Sequence, residues 1–318
     1  MRSLFALALL ITGAASAAPF AASDQNPLLT GLDVGNPVSA RFSASGNTAS
    51  SAIINWSNTS SIQHAEREDL LIDVESREIR FSLEHSLSDV VAMRLQFPYR
   101  SYSGGHLDSF IENWHNVIGL PNGDRSTLPQ DNVNIRYEQN GEPRIALGQK
   151  RSGLGDISLA VGYQLNASTT HATSTWLSVK VPTGDSATLL GNGALVTSLS
   201  IAREQILSSR WIAYGQLSAT YASEGDVLSN QQRKWLASGM VAVDYCYSQA
   251  LRLTLQLDGH TAAFDDSNLE LLGDAWILSM GGEYRWPSNW WLQLGVGEDI
   301  KVDASPDVNF AISLSKQW

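Results

Sequence analysis

Asp108, Glu112 and His115 are spaced by four and then three residues within "GGHLDSFIENWHNVIGLPNGDRS" at 104–126. On a helix they share one face, and a carboxylate beside a histidine is the minimum for general acid–base work. A solvated face whose side chains bond one another explains the same spacing without catalysis. A second chemistry is a Ser–His pair of the kind that serves an outer-membrane lipid hydrolase or acyltransferase, for which His85-Ser86 and His171 with its neighbouring Ser and Thr residues are the candidates. Nothing singles out one of His64, His85, His106, His115, His171 and His260, so no residue is assigned as catalytic. There is no H-E-x-x-H, G-x-S-x-G or P-loop, and "GNGALV" at 191–196 lacks the third glycine of a dinucleotide site. The chain has one cysteine, Cys246, which reads as a small buried side chain. No cofactor is expected, and no metal. Acidic loop residues such as Asp265, Asp266, Glu270, Glu298, Asp299 and Asp303 read as hydrated surface charge, with divalent cations of a lipopolysaccharide layer as the alternative.

A second set of polar residues recurs on one side of alternating segments: Arg94, Lys180, Arg252 and Arg285 against Asp156, Asp244, Asp258 and Glu283, with Gln96, Gln164, Gln216 and Gln256 among them. These are the expected lumen-lining residues. A lumen of one sign would argue for a selective ion pore, whereas mixed signs argue for a cross-lumen network or a narrow pathway of modest selectivity.

The elements that must position them have period two. In "ALRLTLQLDG", Leu251, Leu253, Leu255 and Leu257 face one way and Arg252, Thr254, Gln256 and Asp258 the other. About twelve such segments are expected: 51–62, 69–84, 89–101, 154–165, 173–183, 194–204, 210–222, 235–247, 249–262, 273–286, 289–299 and 307–318. In the second, the apolar phase switches between Val74 and Ile79, as a bulge or a misplaced boundary would make it do. Tight connections near 85–88, 248 and 287–288 alternate with long ones at 102–153, 184–193, 223–234, 263–272 and 300–306, the pattern of short periplasmic turns and long external loops. Trp211, Tyr245, Tyr247, Tyr284, Trp286, Trp290 and Trp318 then fall near periplasmic strand ends, and Tyr221, Trp235 and Trp276 near outer ends, as two interfacial girdles.

The fold expected is therefore all-β: a transmembrane antiparallel β-barrel of about 12 strands, with an amphipathic helix in a long external loop. In that helix Leu107, Phe110, Ile111, Trp114 and Ile118 form the apolar face. "MRSLFALALLITGAASAAPF" reads as a signal peptide cleaved after Ala17, because its apolar run is too short to span a bilayer. Residues 18–50 follow as a periplasmic lead-in, and 51–318 as the barrel. A formal net charge of -11 argues against nucleic acid.

"SGGHLDSFIENWHNVIGLPNGDRSTLPQ", "SGLGDISLAVGYQL" and "WLSVKVPTGD" resemble a family of uncharacterised proteobacterial outer-membrane barrels, and more loosely the outer-membrane transporters of aromatic-degradation pathways. The resemblance implies a barrel in the outer membrane of a Gram-negative bacterium, with a transport role and no named substrate. The end of the chain, "VNFAISLSKQW", resembles the C-terminal signal of bacterial outer-membrane proteins, except that Lys316 stands where an apolar residue is usual. The implied partners are outer-membrane lipid and lipopolysaccharide, the barrel-assembly machinery and a small solute. The function expected is passive passage of that solute, narrowed or gated by 104–126, with Arg94, Asp156, Arg252 and Asp258 along the path. Asp108, Phe110, Trp114 and His115 are the expected constriction. The alternatives are the lipid enzyme and a sealed structural barrel.

Overall fold

The computed structural model describes residues 19–21, 23–32, 34–118, 127–301 and 303–318, the side chains of 114–118 excepted. The expected signal peptide lies outside the described residues. Fifteen strands follow in order: β1 (Thr48–Ala65), β2 (Glu68–Ser86), β3 (Val91–Ser103), β4 (Asn134–Gln139), β5 (Glu142–Leu147), β6 (Arg151–Leu154), β7 (Ile157–Ala167), β8 (His171–Val181), β9 (Val196–Ile206), β10 (Trp211–Ala222), β11 (Trp235–Cys246), β12 (Leu251–His260), β13 (Ala275–Arg285), β14 (Trp290–Asp299) and β15 (Val308–Gln317). The helix α1 spans Asp108–Ile118. Twelve of the strands, β1 to β3 and β7 to β15, pair antiparallel with their neighbours, and β1 pairs with β15 to close the ring. Closure leaves no free edge, so strands can cross lipid with every backbone polar group paired. The short strands β4, β5 and β6, unforeseen in the sequence, lie in the long loop and extend the outer ends of β2 and β3.

The wall is polar inside and apolar outside. On β12, Leu253 and Leu255 are exposed while Thr254 and Gln256 are buried. The exposed aromatics form bands at both strand ends. Trp211 packs on Tyr245 with ring centroids 4.9 Å apart at the inner end, and Tyr221 on Trp235 at 5.1 Å at the outer end. Lys316 fits the inner band through its neighbours: its Nζ lies 4.0 Å from the ring centroid of Trp318 and 5.0 Å from that of Trp290, so the cation rests on aromatic faces.

The phase switch in β2 is not a bulge. Its pairing with β1 is unbroken from Thr48↔His85 to Ala65↔Glu68. What changes is the medium inside the ring. At mid-height the inner face carries Glu78 and Arg80, whereas toward the outer end the same face carries Leu70, Ile72 and Val74. Those three join a large apolar core under the outer loops, with Leu147, Leu189, Leu228 and Leu271.

Residues 18–50 were expected ahead of the barrel as a periplasmic lead-in, but the described part up to Asn47 runs inside it. It rises past Gln256, turns at 27–32, where Leu28, Leu29 and Leu32 enter the outer core, and descends past Gln216 and Gln164 to the β2–β3 turn. A chain without strand periodicity can be buried there because the inner wall supplies partners for its backbone.

Candidate functional site

Three inner-face glutamines hold this segment as a sheet neighbour would. Gln256 Oε1 accepts from Phe20 N at 2.8 Å, and its Nε2 donates to Phe20 O at 3.1 Å. Gln216 accepts from Val38 N and donates to Asn36 O, at 2.8 and 2.9 Å. Gln164 accepts from Phe42 N and donates to Ala40 O, both at 2.8 Å. An amide side chain offers one acceptor and two donors, so each can satisfy both backbone groups of an extended stretch. Phe42 packs edge-on against Trp176 at 5.2 Å. Gly162 makes that contact possible, since a Cβ there would stand 2.7 Å from atoms of both rings.

Above mid-height the segment is fixed by charge. Glu78 accepts from Arg80 Nε at 2.9 Å and from Arg100 Nε at 2.8 Å. Arg80 reaches Asn36 Oδ1 at 2.6 Å, while Arg100 donates to Thr30 O and to Leu190 O, both at 2.9 Å. All three side chains are buried. Buried charges persist only when paired and fully hydrogen-bonded, and here Thr30 O and Asn36 Oδ1 of the segment help to complete the set.

The residues expected to line the lumen form local pairs and do not converge on one site. Arg94 on β3 meets Glu84 at 2.7 Å, donates to Pro37 O at 3.1 Å, and lies 4.6 Å from the Trp176 ring centroid. Gln96 bridges Ser82 and Ser158. Asp156, just before β7, stands 3.6 Å from Lys180 and accepts from Gly184 N. Arg252 lies 3.9 Å from Asp244, Arg285 contacts Glu283, and Asp258 accepts from Gln256 at 2.8 Å. Glu78, Arg80, Glu84 and Arg100 were missed in the sequence, though their alternation along β2 and β3 was the signal. Beside the two arms of the segment, under β14, β15 and β1 to β3, a polar gap of about 130 Å³ remains. Ligand pockets run to roughly 300–1,000 Å³, so the gap is smaller than an ordinary small-molecule site.

The loop helix is not in the lumen. Leu107 and Ile111 pack with Val308 against Trp56, Val296 and Phe310, whose strand neighbours Leu294 and Ile312 are exposed on the outer wall. Phe110 is 51 % exposed and meets Phe310 at 6.1 Å, so it constricts nothing. Asp108 accepts from Asn58 Nδ2 and from Asp131 N, both at 2.9 Å, and Glu75 accepts from His106 N and Leu107 N. Glu75 thus receives two backbone donors at the helix entrance, while Asp108 ties the start of the helix to β1 and to the chain that follows the helix. The side chains of Trp114 and His115, and residues 119–126, lie outside the described residues.

Among the described residues, the histidines have separate partners. His260 pairs with Asp24 at 3.0 Å, tying the rising arm to β12, and His64 meets Asp69 at 2.6 Å on the outer hairpin. Ser168 lies 3.0 Å from His171, but its hydroxyl also accepts the amides of Thr170 and His171, which is a turn's own bonding. Among the described residues no Ser–His pair has a carboxylate to orient it, and no cluster of three metal-ligating residues occurs. Above the membrane, Tyr137 bonds Glu68 at 2.6 Å and Gln231 at 2.9 Å, and burial raises its hydroxyl above the ordinary tyrosine range.

The fold is that of known outer-membrane barrels. The COG4313 outer membrane channel from Pseudomonas putida F1 aligns over 89% of this chain and 99% of its own, with a TM-score of 0.59 and 14% identity. The Ralstonia pickettii toluene transporter TbuX aligns over 86% and 90%, with a TM-score of 0.44 and 9% identity. The KdgM porin aligns over 84% and 98%, at 0.44 and 7%. No curated protein matches the chain in sequence. A family profile does, across residues 6–318: the chain belongs to the family described as "Protein of unknown function (DUF3187)".

Proposed function

We propose that this protein is a channel of the Gram-negative outer membrane for a small solute, closed by its own N-terminal segment and not by the loop helix. The observation that carries this reading is the way 19–47 is held: by side-chain hydrogen bonds and ion pairs from the wall, inside a ring that is polar along its inner face. Such bonds exchange readily with water, so the segment can leave without breaking the barrel, whereas a sealed barrel would fill its centre with side chains. Mixed inner charge suits a polar solute of low net charge. The outer loops face lipopolysaccharide, and the C-terminal strand is the recognition element for the barrel-assembly machinery.

Single-channel recording in a planar bilayer tests the reading. The full protein is expected to show rare or small steps, and a variant lacking 19–43 large and frequent ones. Silence in both, with folding shown by heat-modifiable gel mobility, would make the protein a sealed structural barrel.

A further inference from the structure

On the outer face, above the apolar core, a groove of about 400 Å³ opens between β5, the loop before β9 and the loop between β10 and β11. That volume lies in the range of small-molecule sites and is about three times the gap beside the plug. Its floor is Leu147, Leu189 and Leu228, and its rim includes Arg144, Asp226 and Asn230. Leu189 and Leu228 both adopt left-handed backbone, at φ 59° and 48°. Non-glycine residues there cost about 1 kcal/mol or more, and such strain gathers at ligand sites. Leu189 takes that conformation as the cap of the short turn at 186–188, so the loop that carries it sets its side chain in the groove floor.

The rim carries one charge of each sign, and the two differ in their bonding. Asp226 already accepts from the Ser186 hydroxyl at 2.6 Å. Arg144 is exposed, and among the described residues no carboxylate pairs with it. An apolar floor with an uncommitted guanidinium at its edge fits a short hydrocarbon body carrying a carboxylate. The floor also touches the plug's anchorage: Leu189 O accepts from the Tyr102 hydroxyl at 2.8 Å, and the next residue's carbonyl accepts from Arg100, which holds Thr30.

We propose that this groove is an outer binding site for small amphipathic carboxylates, seated with the chain on Leu147, Leu189 and Leu228 and the carboxylate on Arg144. The test is calorimetric titration of the full protein in amphipol with hexanoate, hexylammonium and hexanol. Saturable hexanoate binding is expected, weakened about tenfold or more by Arg144→Gln, because one charge-assisted contact is worth about that factor. Leu228→Gly relieves the left-handed strain, so it keeps the fold, and is expected to weaken hexanoate and hexanol alike. Absence of saturable hexanoate binding, equal binding of hexylammonium, or an Arg144→Gln variant that binds as the parent does would each overturn the assignment. Binding is read on the closed protein, so the outcome is independent of whether the barrel conducts.

Discussion

Gln256 holds Phe20 by both ends of its amide, accepting from the backbone nitrogen at 2.8 Å and donating to the carbonyl of the same residue at 3.1 Å. A strand partner would make the same two bonds. Gln216 and Gln164 likewise grip one amide and one carbonyl each, on Val38 and Asn36 and on Phe42 and Ala40, so the lumen seats an irregular segment without extending the sheet. The difference from a true strand is that each grip belongs to one replaceable side chain.

Replacing Gln164 and Gln256 by Met keeps the volume and removes the bonds. The amides of Phe20 and Phe42 and their facing carbonyls then lose their partners, at about 1–3 kcal/mol for each unsatisfied buried group. Hydrogen exchange at Phe20 and Phe42 is expected to quicken roughly five- to a hundredfold, with exchange in β10 and β11 unchanged. Unaltered exchange in the segment would show that the glutamines are bystanders.

Glu78→Gln should be far more costly than its size suggests. It leaves the Arg80 and Arg100 guanidiniums facing each other without the carboxylate that both now bond. Removing one partner of a buried ionic set destabilises by about 3–5 kcal/mol. Changing Arg233, which pairs with Asp265 while both side chains stay exposed, is expected to cost about 1 kcal/mol or less. The two are compared by denaturant unfolding in detergent, and equal losses would argue against the triad as an anchor.

Legibility in the sequence followed periodicity. Each of the twelve wall segments was recognisable because a surface that is lipid on one side and polar on the other imposes strict alternation, as at Leu253, Thr254, Leu255 and Gln256. β2 was the hardest to read, since its inner face passes from the polar lumen at Arg80 to the apolar core at Leu70 with no break in register. The plug was invisible for the complementary reason. Residues such as Asn36, Pro37 and Ser39 have no period, and what buries them is a set of partners more than a hundred residues away, such as Gln216 and Trp176. The helix was recognised, yet its apolar face was equally compatible with the lumen, the rim or the outer wall. Only the placement of Trp56 and Phe310 on the outside decides among them.

The outer loops carry a charge cluster whose pH response has a definite sign. Lys301 Nζ lies 2.8 Å from Glu270 and 3.0 Å from Asp274. The bond from Lys301 holds Asp274 below the usual aspartate range, and the bond to Glu270 raises Lys301. A depressed carboxyl stabilises the fold above its unfolded value of about 4 and loses that contribution as pH falls through the folded value. The raised amine stabilises below about 10.4 and loses its part as pH climbs past the folded value. Because the cluster is exposed, its worth is below about 1 kcal/mol and falls with salt. Lys301→Met should therefore lower Tm slightly at pH 7 in dilute buffer, and the difference should vanish near pH 2 or in molar salt. A gap that persists under both conditions would be a packing effect of the lysine stem.

The position of α1 makes the sharpest separation between fold and function. Ile111 is 1 % exposed and sits on the outer wall with Leu107 and Val308. Ile111→Ala should cost about 2–5 kcal/mol of local packing, since the truncated methyls leave a void that a closed barrel wall cannot collapse to fill. The loss falls on the loop, because Glu75 and Asn58 fasten only its start. Proteolysis within 104–126 is therefore expected to accelerate in Ile111→Ala, while single-channel conductance matches the parent. Conductance that rises with loop cleavage would return the helix to the solute's path and remove the N-terminal segment from its role as sole gate.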